Sequence, residues 1–85
     1  MKAIIYGKGK DIEKQYAKCI TYAMMEGYDV AETTSTIPLT IQRLAKRDID
    51  AVMVSSKDII ADSSNDYEIV ASTFSRYRAK IIIIE

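Results

Sequence analysis

The chain reads as an α/β protein: a three-layer open parallel sheet of about four strands in the order 2-1-3-4, with three helices. Three observations predict this. Strand-like and helix-like runs alternate as β-α-β-α-β-α-β over 85 residues, and such alternation builds a parallel sheet with right-handed crossovers. Residues 3–6 and 51–54 are continuously apolar, as strands covered on both faces are. Residues 28–34 are more polar, so the second strand belongs at one edge.

Each element has its own signals. Residues 2–6 are strand one, and Gly7-Lys8-Gly9-Lys10 is the loop that opens a helix. Asp11 is placed to cap that helix. Ile12, Tyr16, Cys19, Ile20, Ala23 and Met24 recur at helical spacing as its inward stripe, and Gly27 is placed to end it. In strand two, Tyr28, Val30 and Glu32 alternate against Asp29, Ala31 and Thr33. Thr36 and Pro38 start a short helix with Ile41, Leu44 and Ala45 inward. Arg43, Lys46 and Arg47 fall in its last turn, where cations complement the negative helix end. Residues 51–54 are a second central strand, and residues 55–64 a polar loop. Asn65 with Glu68 reads as a capping pair for a third helix. Its predicted buried stripe is Ile69, Val70, Thr73, Phe74 and Tyr77. Four isoleucines, Ile81, Ile82, Ile83 and Ile84, make the last strand.

Composition bounds the function. Residues 1–85 are expected to form one domain, near the lower end of what buries an adequate core. Hydrophobic residues make up 48%, too many for a disordered chain. Twelve Lys and Arg balance twelve Asp and Glu. A stand-alone DNA-binding domain carries a basic excess because phosphate contacts dominate its affinity, so the balance argues against DNA binding by this chain alone. The chain has no His, which removes the usual imidazole base and the commonest zinc ligand. Its one Cys, Cys19, reads as a core thiol. No apolar run approaches the roughly 20 residues of a membrane span, and the start is too poor in apolar residues for a signal peptide. A soluble cytoplasmic protein is expected, without membrane contact.

In an open parallel sheet, ligands gather where the strand order switches at the carboxyl ends of the strands. Here that point lies between strands one and three. It brings Lys8 and Lys10 near Ser55, Ser56, Lys57 and Asp58. Gly7, Lys8, Gly9, Lys10 and Lys57 form a candidate anion site, since free N–H groups ahead of a helix favour an anion. The motif is neither a Walker loop nor a dinucleotide fingerprint, and a solvated turn is the favoured account. Asp58, Asp62 and Asp66 are spaced by four without a calcium-loop pattern; they read as loop and capping acids, so no metal and no cofactor is expected. Tyr16, Tyr22 and Tyr28 are assigned to packing rather than base stacking.

At these residues the chain resembles the N-terminal catalytic domain of the serine recombinases, the resolvase/invertase family. The family's first strand ends in Tyr-x-Arg-x-Ser, where the Ser attacks DNA phosphate. The match is Tyr6-Gly7-Lys8-Gly9-Lys10, with Lys8 at the Arg position and Lys10 at the Ser position. Glu13-Lys14-Gln15, Tyr22 and Gly27-Tyr28 fit the family's first helix, behind a loop that is shortened. The stretch from Pro38 to Leu44 resembles its Arg-Pro-x-Leu-x-x-Leu start, with Ile37 in place of the Arg. Asp50-Ala51-Val52-Met53-Val54 resembles its third strand, and of the following Asp-Arg-Leu-x-Arg signature only Asp58 survives. Lys80 to Glu85 resembles the strand after the third helix. Tyr6, Gln15 and Asp58 are thus the retained family positions. The resemblance implies a degenerate and truncated relative, since the family continues into a long dimerisation helix and a DNA-binding domain.

Phosphodiester exchange by this route needs an oxygen nucleophile and guanidinium groups that clamp developing charge. No Ser, Thr or Cys precedes Cys19, and Lys cannot supply the bidentate fork of Arg. The chain is therefore expected not to be an enzyme. The leading expectation is a catalytically inactive resolvase-like domain that works through protein contacts, in oligomerisation or regulation, linked to a mobile element. The alternative is a small anion- or nucleotide-binding protein using the loop after strand one; a third is a truncated remnant of a longer enzyme. Ile81, Ile82, Ile83 and Ile84 would form an open apolar edge, which invites pairing, so self-association or docking onto another protein is expected there.

Overall fold

The computed structural model describes residues 1–46 and 48–85; Arg47, expected in the last turn of the second helix, lies outside them. In chain order the elements are β1 (Lys2–Tyr6), α1 (Ile12–Glu26), β2 (Asp29–Thr34), α2 (Ile37–Lys46), β3 (Ala51–Val54), a 3-10 turn (Lys57–Ile59), α3 (Ser64–Arg76) and β4 (Lys80–Ile83). The sheet order is β2-β1-β3-β4, and every pairing is parallel. Among the described residues no helix is long and apolar enough to cross a membrane.

Successive strand residues point to opposite faces, and the two central strands serve two cores. Ile4, Tyr6, Val52 and Val54 pack with Leu44 of α2 and Phe74 of α3. Ala3, Ile5, Ala51 and Met53 pack with Cys19 and Ala23 of α1. One face of the sheet therefore carries two helices and the other carries one.

Strand two departs from simple alternation. Its register against β1 shifts between Ala3 and Ile4, whose partners are Val30 and Glu32. Ala31 is the extra residue of a bulge. It packs into the α2–α3 core, while Val30 is exposed.

The helix ends and stripes need correction. Asp11 makes no side-chain cap to α1, because its backbone (φ −95°, ψ 23°) is not in the extended conformation of a capping residue. Gly27 does end the helix, in the left-handed region. Ile20 and Met24 are exposed, not inward; the helix rests on the small side chains of Cys19 and Ala23, and these two project past its flank. In α2 Leu44 and Ile41 point inward as expected, joined by the buried Thr40, and Ala45 is exposed. The cap of α3 lies two residues before the expected one. Ser63, not Asn65, is the cap, its hydroxyl accepting from the Asp66 N–H at 3.1 Å. Ile69 and Tyr77 are exposed, and Tyr67, Val70 and Phe74 form the inward line. The segment read as a polar loop holds two buried residues, Ile59 and Ile60, which the 3-10 turn drives into the α2–α3 core.

Candidate functional site

The carboxyl ends of β1 and β3 lie side by side, and the loops leaving them form the candidate site. After Tyr6 the chain passes beneath the first turns of α1. The Gly7 N–H donates to the Thr34 carbonyl at 3.0 Å. A Cβ at Gly7 would stand 2.9 Å from Gln15 Oε1 and 3.0 Å from Ile12 Cγ1 and from the Tyr16 ring, so the close approach requires glycine. Gln15 then holds the next residue, accepting from the Lys8 N–H at 2.9 Å and donating through Nε2 to the Lys8 carbonyl at 2.8 Å. Gly9, at φ +89°, turns the chain toward the helix. Lys8, Gly9 and Lys10 are exposed.

Opposite this loop, the Ser56 hydroxyl donates to Asp58 Oδ1 at 2.5 Å. That bond, with backbone hydrogen bonding and then the Lys8 ammonium, holds the Asp58 carboxyl below the usual carboxylate range. Asp58 is therefore a fixed negative charge, too weak a base for proton abstraction near neutral pH. Of the retained family positions, Gln15 grips the loop and Asp58 accepts from Ser56. Tyr6 is buried at the strand end, where desolvation first and Tyr16 second raise its phenol pKa.

The candidate anion residues do not all converge. Lys57 Nζ lies 4.9 Å from the centroid of the Tyr67 ring, a cation–π contact with α3. The Gly7 and Lys8 N–H groups are spent on protein acceptors. Among the described residues, no group of three or more His, Cys, Asp or Glu side chains could hold a metal ion. The four isoleucines divide between faces: Ile82 and Ile84 pack on the α1 side, Ile81 on the α3 side, and Ile83 is exposed. What the sequence reading missed is the surface beside α1, whose signal was the Met24-Met25 doublet, half of it lying off the inward stripe.

No protein-family model matches the chain, and no curated protein matches it in sequence. Solved structures do. The C-terminal catalytic domain of ISC1926 TnpA, an IS607-like serine recombinase, superimposes with a TM-score of 0.87 at 22% identity, over 100% of this chain and 70% of that one. The N-terminal catalytic domain of TP901-1 integrase gives 0.89 at 19% identity, over 99% and 77%. A resolvase family site-specific recombinase from Streptococcus pneumoniae gives 0.90 at 12% identity, over 99% and 72%. These matches overturn the expectation that the chain is no enzyme: the framework it shares is that of catalytic domains, and letters missing from one loop do not exclude it. Strand order, helix placement and these superpositions agree: the chain has the fold of a serine recombinase catalytic domain.

Proposed function

We propose that this chain is a serine-recombinase-type domain that serves mobile-element recombination through protein contacts, joining a second copy of itself or another protein. The observation that supports it is the asymmetric cover of the sheet: two helices on one face and one on the other, with the isoleucine strand β4 at the border. Exposed apolar surface of this kind marks interaction sites. A net charge of zero leaves no overall repulsion between copies. The recombinase framework of the similar structures supplies the setting.

The anion-binding alternative has less behind it. Two loop N–H groups are already engaged, and Lys57 leans on Tyr67. Sedimentation velocity over a concentration series tests the main reading. Reversible association in the micromolar range is expected; a clean monomer at high micromolar concentration counts against a second copy and leaves a different protein as the partner.

A further inference from the structure

We infer that the groove between α3 and β4 binds a nucleoside monophosphate, its phosphate held by Arg78, Lys80 and Ser75 and its base packed on Tyr67. This site is separate from the loop after β1 and does not depend on association with another chain. The groove has a volume of about 440 Å³, within the range of small-molecule sites. Tyr67, Ala71 and Ser75 recur at every fourth residue and form its helical wall. Ile81 lines it from β4. Among the described residues no carboxylate lines it.

Arg78 is held at this groove at a conformational cost. Its φ of 63° is the one positive value at a non-glycine residue among those described. It follows α3 in a Schellman turn: the Arg78 N–H donates to the Ser75 carbonyl at 2.9 Å, and the Ala79 N–H to the Phe74 carbonyl at 3.2 Å. Glycine is the usual residue at that position, and α1 ends on one, Gly27 at φ 78°. A cation near a helix carboxyl end complements the dipole, but Arg76 already does so in the last turn of α3. The Arg78 side chain therefore has another task. Strain at a residue that lines a cavity points to ligand binding.

Charge and shape select the ligand. Helix α3 runs back along β4, so Ser75 near its carboxyl end lies by Arg78 and Lys80 at the start of the strand. Among the described residues neither cation is in an ion pair. The guanidinium fork suits phosphate, and the ammonium adds a point charge. Two cations match a phosphate dianion. Tyr67 lies eight residues before Ser75, about 12 Å along the helix axis. Lys57 Nζ stands 4.9 Å from the centroid of its ring, but Lys57 does not line the groove. The rest of the ring is left for a flat base to pack on. Ala71 and Ile81 make the middle of the groove apolar. A phosphate at one end and a flat ring at the other describe a mononucleotide; inorganic phosphate alone would leave the ring unused.

Backbone amide shifts of the full chain, titrated with adenosine monophosphate, test this. Saturable shifts below about 1 mM are expected at Ala71, Ser75 and residues 78–81, with weaker responses to adenosine or to inorganic phosphate. Arg78→Gly removes the guanidinium and eases the backbone. It is expected to keep or raise the melting temperature while weakening binding at least about tenfold. Lys80→Gln is expected to weaken binding in the same direction with the fold kept. Tyr67→Leu is expected to abolish the preference over inorganic phosphate. The proposal is overturned by the absence of saturable shifts, by shifts confined to residues 7–11, by inorganic phosphate binding as well as the nucleotide, or by Arg78→Gly binding as the wild type does. Binding that appears only with a single-stranded oligonucleotide and grows with its length also overturns it, making the groove a nucleic-acid contact instead.

Discussion

The carboxamide of Gln15 brackets the backbone of Lys8, with one hydrogen bond to its N–H and one from its own Nε2 to the carbonyl. The loop after β1 thus has a set course before any ligand arrives. Gln15→Ala removes both bonds. We expect a stability loss of about 1 kcal/mol in urea melts, at the scale of one net hydrogen bond, and faster hydrogen exchange at Lys8.

Gly7→Ala attacks the same loop from within. The added methyl meets the Gln15, Ile12 and Tyr16 side chains at 3.0 Å or less, so the helix start or the loop must shift. A loss of about 1–3 kcal/mol is expected from overpacking. Backbone amide shifts spreading through residues 6–16 would locate it.

Thr34 and Thr40 are buried with their hydroxyls 2.7 Å apart. Thr40 gives its proton to the Thr36 carbonyl, so Thr34 donates to Thr40. Thr40→Val strands the Thr34 hydroxyl and should cost about 1–3 kcal/mol. Adding Thr34→Val removes the stranded group and should recover part of that loss. Equilibrium denaturation of the single and double variants checks the order.

Burial pushes the Cys19 thiol up to about 11 from 9.0, partly opposed by Lys18. The folded state holds the proton more tightly than the unfolded chain does. Stability is therefore complete below about pH 9 and falls as pH rises through about 11. Native protein at pH 8 should react with a thiol reagent far more slowly than urea-unfolded protein.

Asp58 works in the opposite sense. Its depressed pKa, caused first by Ser56, favours the folded state above the ordinary carboxylate range, and that contribution fades as pH falls through the lowered value. An NMR titration should give a midpoint below 3.8 for Asp58, moving upward in Ser56→Ala.

The topology was legible because the continuous apolar runs at β1 and β3 contrasted with the polar run at β2, and edge and centre followed from that contrast. Details set by tertiary packing were not. The stripe of α1 misplaced Ile20 and Met24 because periodicity cannot tell that the helix rests on Cys19 and Ala23 and leaves its neighbours outside the contact. The cap of α3 moved to Ser63 because Asn65 and Glu68 mimic a capping pair within the first turn. Ile59 and Ile60 hid in a stretch otherwise rich in Ser and Asp. At the site, the neighbouring carboxyl ends of β1 and β3 followed from strand order alone. The Lys57 contact with Tyr67 depends on where α3 docks, which no local pattern encodes.

The extra residue at Ala31 bends the outermost strand on the β2 side, next to the Glu32–Arg43 ion pair at 2.9 Å. A kinked, charged border makes a poor template for another chain's backbone. Stacking of these molecules into fibrils would need two receptive rims, and this one has a single rim at most. Assemblies built from it should close at small size instead of growing without end.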